Sequence, residues 1–199
     1  MKIAMMVRSL FTTPVPKDIG YSPSTIAKTL AESLEELGHE ISFYGPEGPE
    51  LTVSHIETCG LYPTVSSQKQ FDEYLHNPDL FQHYMLAGND NIMVKAMLER
   101  ANNGEYDCVV FHHFEGAMSL AGMYPNVPVI HILHDFMDDK RGEFIRRNST
   151  PNQYLSPFQI TNTLTRLILI IVQMCITASI LRNSTSTQNQ VIIYSSRDE

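Results

Sequence analysis

A chain of 199 residues holds one α/β core with little left over, since Rossmann-like domains take roughly 150–200 residues each. Hydrophobic residues make up 43% and charged residues 18%, which argues against a disordered or fibrous chain. The formal net charge of -8, from 22 acidic and 14 basic residues without any Lys/Arg cluster, argues against a nucleic-acid partner. In chain order, the apolar run at Met1–Val7 is cut short by Arg8, which predicts a first buried strand and no secretory core. A loop with Pro14 and Pro16 follows. Ser22 then reads as an N-cap, with Pro23 at the first helical position. Ile26, Leu30, Leu34 and Leu37 recur at helical spacing, and Gly38 reads as a left-handed cap.

Glu40–Tyr44 alternates polar and apolar residues and predicts the next strand, closed by Gly45-Pro46. Residues 46–66 read as loop. From Gln68 to Ala101 the pattern is helical with a break at Asn77-Pro78, which predicts two helices. Asp107–His112 and Val127–His134 are apolar runs of the kind buried on both faces of a parallel sheet, with a short helix from Ala117 to Met123 between them. The chain is polar from Asp135 through Arg147, and Tyr154–Pro157 reads as a short strand opening a helix. The apolar run Leu167–Leu181, at fifteen residues, falls short of the ~20 that cross a bilayer. It reads as a buried element or as a surface covered by further chain, and as a route to self-association where it is uncovered. Val191–Tyr194 reads as a last strand.

The expected fold is α/β: a Rossmann-like, open, mainly parallel sheet with helices on both faces, spanning residues 1–165, followed by an apolar and linker segment at 166–199. Both strong strands end in histidine and acid. In open parallel sheets the ligand crevice lies outside the carboxyl ends of the strands, so these endings are where chemistry is expected. Three widely spaced cysteines, Cys59, Cys108 and Cys175, without a C-x-x-C pair, predict reduced thiols in a cytoplasmic setting. His112, His113, Glu115, His131, His134, Asp135, Asp138 and Asp139 form a pool of metal-ligand types. Strand alternation, however, sends His131 and His134 to opposite faces, and no H-E-x-x-H is present, so no metal is expected.

The order of these segments resembles the retaining glycosyltransferases of family four, with the two-domain GT-B architecture. Met1–Ala4 with Pro14–Lys17 and Gly20-Tyr21 is similar to the family's first strand and acceptor loop. Leu37–Ile41 is similar to its first helix end and second strand. Tyr106–His113 and Val127–Asp135 resemble its fourth and fifth strands, Leu155-Ser156-Pro157 a short segment of the family, and Val191–Arg197 the strand that opens the donor domain. The resemblance implies the acceptor-side half of an enzyme that moves a hexose from a nucleotide-diphosphate sugar to an acceptor. It implies no cofactor and a separate donor-binding domain as partner. By the same resemblance His134 and Asp135 face the reacting groups, and Ser22, Ser24 and Thr25 meet the diphosphate. Tyr21, His112, His113, Ser156 and Arg197 are further substrate-binding candidates. Ser22-Pro23 stands where the family has a glycine pair, Ser196 where it has a glycine, and the family's lysine and paired glutamates are expected beyond Glu199. The competing expectation is a non-catalytic nucleotide-binding or interaction module; G-x-G-x-x-G and the Walker A pattern are absent, but such a module fits a missing donor domain.

Overall fold

The computed structural model describes residues 1–81, 85–135 and 137–157, and the single position 173. Apart from position 173, the expected linker segment at 166–199 lies outside the described residues. That segment includes the apolar run at 167–181, the last strand at 191–194 and Arg197.

The described elements run β1 (Lys2–Met6), α1 (Ser22–Glu36), β2 (Glu40–Tyr44), β3 (His55–Glu57), α2 (Gln68–His76), α3 (Pro78–Phe81) and α4 (Ala87–Asn102). They continue with β4 (Cys108–Phe111), α5 (Phe114–Ala121), β5 (Val129–Leu133), α6 (Asp139–Asn148) and β6 (Gln153–Pro157). The six strands form one sheet in the order β3-β2-β1-β4-β5-β6, and every neighbouring pair is parallel. This is the doubly wound, Rossmann-like α/β fold that the sequence predicts. From β1 the chain winds outward to β3, returns through α2–α4, and winds outward the other way from β4. The strand order therefore reverses between β1 and β4.

Alternation along the strands builds two cores. Ile3, Met5, Ile41, Phe43, Val110, Ile130 and Ile132 pack with Ala27, Leu30, Ala31 and Leu34 of α1. Ala4, Met6, Tyr44, Val109, Phe111 and Val129 face the other way, onto Met93, Val94, Met97 and Leu98 of α4 and Ala117 and Ala121 of α5. Helices on both faces leave no solvent-facing row on the central strands, which is why β4 and β5 are apolar throughout.

Helix α1 corrects one expectation. The N-cap is Tyr21, in extended backbone with no side-chain capping bond, and Ser22 is already helical. The Tyr21 ring packs on Phe11 with centroids 5.2 Å apart, inside a cluster of Leu10, Ile19, Val65 and Leu86. Aromatic burial of this kind outweighs the ~1 kcal/mol of a serine cap. At the other end Gly38 has φ 85°, the left-handed closure expected of it, with Gly38 N–H donating to the Glu35 carbonyl and His39 N–H to that of Leu34. Strand β3 and helix α6 fall in stretches the sequence pattern reads as loop or merely polar. The first is three residues at an edge, and the second buries only Ile145. Helix α5 begins at Phe114, ahead of the expected Ala117. Cys59 is exposed and free. Among the described residues no helix is long and apolar enough to cross a membrane.

Candidate functional site

A cavity of about 740 Å³ opens at the carboxyl ends of β1, β4 and β5, beside the reversal of strand order. Its wall draws on Arg8 after β1, the start of α1 at Gly20–Pro23, the β4–α5 junction at His112–Gly116, and His134 and Asp135 after β5. Asp90 of α4 and Arg141 of α6 complete it. In this fold class the switch point is where flanking loops diverge and leave a crevice, so the cavity stands where the topology requires one.

The floor holds two histidines bonded to each other. His112 Nδ1 and His134 Nε2 are 2.9 Å apart, and the rings stack with centroids separated by 5.1 Å. The sequence places His112 one residue past β4, where its N–H still donates to the Met6 carbonyl of β1 at 3.0 Å. Burial holds His112 well below the ordinary histidine range, and a charge on His134 would push it lower still. Burial also brings His134 down to about 4, against the opposing pull of Asp135. Near pH 7 both rings are therefore neutral, one lending and one accepting the shared proton. His112 Nε2 is buried and has no hydrogen-bond partner among the described residues. A neutral imidazole can donate or accept, which suits a ligand hydroxyl.

The opposite wall is set by Arg8. Its Nε–H donates to Asp90 Oδ2 at 3.0 Å, while Ser9 donates to Asp90 Oδ1 through both its backbone N–H, at 2.8 Å, and its hydroxyl, at 2.9 Å. Asp90 is 2% exposed. The same loop is held to the 64–65 segment by Thr64 N–H and Val65 N–H, which donate to the carbonyls of Ser9 and Leu10, each at 2.8 Å. A buried, fully bonded carboxylate thus fixes the direction of the guanidinium.

At the mouth, His113 Nδ1 lies 2.9 Å from Glu115 Oε2. Burial pushes the Glu115 carboxyl up, but the His113 hydrogen bond and charge, its own backbone N–H and Arg8 together bring it below the usual carboxylate range. Arg141 reaches Asp135 at 3.3 Å, Asp138 at 3.8 Å and Glu115 at 3.9 Å, tying the start of α6 to the first turn of α5 and the loop after β5. Tyr21 closes the α1 side, and burial pushes its hydroxyl up to about 12.

Of the residues expected from the sequence, His134, Asp135, Tyr21, Ser22, His112 and His113 all line this cavity. Ser24, Thr25 and Ser156 do not line it. Ser24 is buried within the first turn of α1 and Thr25 faces solvent. Ser156 is buried on β6 opposite Ile132. Arg197 lies outside the described residues. His131 points away, stacked on Phe111 with its Nε2–H donating to Gln153 at 2.8 Å, so the strand alternation separates it from His134 as expected. Among the described residues no group of three or more His, Cys, Asp or Glu side chains gathers to hold a metal ion.

Sequence reasoning missed Arg8 and Asp90 as a pair, and it missed Arg141. Arg8 carried a signal, as a cation directly after a buried strand. Asp90 carried none, because one acid on a helix looks the same whether it faces water or a distant arginine.

No protein-family model matches the chain, and no curated protein matches it. Among solved structures it is similar to MurG of Acinetobacter baumannii, with a TM-score of 0.41 and 11% identity over 81% of this chain. The match spans 42% of the length of that structure, and at this level no residue role is carried across.

Proposed function

We propose that this domain is the acceptor-side lobe of a nucleotide-sugar-dependent glycosyltransferase that acts in the cytoplasm. It transfers a hexose to an acceptor hydroxyl held in the cavity while a separate donor-binding lobe closes over it. The observation that carries the reading is the hydrogen-bonded His112–His134 pair lining a cavity at the switch point, beside the exposed carboxylate of Asp135. Sugar transfer needs an acceptor hydroxyl oriented toward the anomeric carbon and donors placed where the diphosphate departs. His134 and Asp135 supply hydrogen bonds for the hydroxyl. The first turn of α1 supplies N–H groups and the positive end of a helix dipole, although Pro23 contributes no N–H.

A non-catalytic nucleotide-binding module is the second reading. Ser24 and Thr25 lie off the cavity, which reduces the diphosphate contacts expected of a transferase. Titration of the isotopically labelled chain with a panel of nucleoside-diphosphate hexoses tests both. The first reading expects saturable shifts at the amides of Ser22, His113 and Asp135, and release of nucleoside diphosphate, in the presence of a donor lobe and a polyol acceptor, that falls about 100-fold or more in His134→Ala. Binding at those amides with release indifferent to His134 would favour the second, and shifts confined to another surface would defeat both.

A further inference from the structure

We propose that Arg8 is a preset anion subsite of the cavity and takes an oxyanion of the ligand, phosphate or carboxylate, on its two Nη groups. A guanidinium has five N–H donors in a rigid fork. Asp90 uses the single Nε–H, and among the described residues no acceptor is bonded to either Nη, although the Arg8 side chain is only 17% exposed. Arg8 lines the cavity, so donors left without a protein partner are open to a ligand there. Asp90 meets Arg8 through this one hydrogen bond at Oδ2, and its Oδ1 is taken by Ser9 with two further hydrogen bonds.

The ligand group follows from shape and charge. Two parallel N–H groups on a planar cation match the paired oxygens of a phosphate or carboxylate far better than a lone hydroxyl. The start of the 15-residue helix α1, at Tyr21–Pro23, lines the same cavity and adds the positive end of its dipole. Of the nearby acids, Asp90 is bonded to Arg8, whereas Glu115 is engaged by His113 and Arg141, and Asp135 by Arg141. On the cavity floor the buried and unpartnered Nε2 of His112 is a second polar group of this cavity that the protein leaves for a ligand.

The subsite stands independently of sugar transfer. Its test is an NMR titration of the full chain with inorganic pyrophosphate, glycerol 3-phosphate and glycerate, following the Arg8 Nε–H and the amides of Gly20 and Ser22. At least one probe is expected to give saturable shifts that weaken with added salt. Arg8→Lys keeps a cation against Asp90 but loses the fork, and is expected to bind several-fold more weakly. Arg8→Gln alone would strand a buried carboxylate, so the stricter variant is Arg8→Gln with Asp90→Asn. It is expected to lose roughly tenfold or more in affinity, the range for a charge-assisted hydrogen bond. Preference for pyrophosphate identifies a leaving group as the occupant, for glycerol 3-phosphate a monoester, and for glycerate a carboxylate on the acceptor. Absence of shifts with all three probes, or unchanged affinity in both variants, overturns the proposal. Failure of nucleoside-diphosphate hexoses to bind, with Arg8-dependent binding of a probe intact, defeats the sugar-transfer reading alone.

Discussion

His112 and His134 are bonded ring to ring at 2.9 Å, with ring planes 25° apart, across the ends of two adjacent strands. The contact exists because β4 and β5 are parallel and in register at Val110 and Ile130, so residues just past their ends meet on one side of the sheet. Neither ring can take a proton without placing a charge against its neighbour in a buried setting.

This pair, with His131, makes the domain sensitive to acid. The folded-state values of His131 and His134 are lowered to about 4 by burial, and His112 is lowered well below its ordinary value of 6.5. Between these values and 6.5 the unfolded chain binds more protons, so stability rises with pH across that window. It is complete above about pH 6.5 and is lost as pH falls toward 4. His131 alone accounts for roughly 3 kcal/mol at most. Urea unfolding midpoints from pH 7 to pH 4 are expected to fall steeply, and less steeply in His131→Gln. A flat profile would show that these rings are not held neutral by the fold.

The Arg8–Asp90 bond gives the second expectation. Removing one partner of a buried ion pair typically costs about 3–5 kcal/mol, because the other charge is left stranded. Asp90→Ala is therefore expected to lose several kcal/mol in denaturant unfolding. Asp90→Asn, which keeps one acceptor for Ser9, is expected to lose less. Equal and small losses would mean that solvent already screens the pair.

Much of this fold was legible because its determinants are local or periodic. Two-sided burial makes β4 and β5 continuous apolar runs, and the leucine spacing of α1 ending at Gly38 marks a helix and its stop. Helix α6 was not legible, because Ile145 and Phe144 are almost its whole packing face and the rest reads as solvated charge. Part of the site was legible for the same reason: His112, His113, His134 and Asp135 end strands, and strand ends in a parallel sheet converge. Arg8 finds Asp90 across 82 positions of sequence. No spacing rule reaches that far.

Gly38→Ala tests the left-handed closure of α1. A Cβ at this position meets nothing within 4 Å, so any loss comes from the backbone at φ 85° and not from crowding. Placing a non-glycine residue there costs roughly 1–2 kcal/mol. Thermal unfolding is expected to shift down by that amount, and Gly88→Ala, in the exposed first turn of α4 with open space and no positive φ, is expected to shift slightly up. Equal shifts in the two variants would remove the conformational argument.

The last expectation concerns Arg141 and α6. The helix buries only Ile145, and its N-terminal end is held by the Asp138 cap, which accepts from Arg141 N–H at 2.7 Å, and by the Arg141 side chain between Asp135, Asp138 and Glu115. These side-chain pairs are exposed enough that each contributes about 0–1 kcal/mol, so Arg141→Ala is expected to change global stability by about 1 kcal/mol or less. Its local effect is larger, because among the described residues only Ile145 is buried on this helix, with Phe144 packed beside it. Hydrogen exchange at the amides of Phe144–Arg147 is expected to quicken several-fold in Arg141→Ala, while amides of β4 and β5 keep their protection. Exchange that quickens equally in the sheet would mean that Arg141 supports the whole domain, and unchanged exchange in α6 would mean that Ile145, Phe144 and the Asp138 cap suffice to dock it.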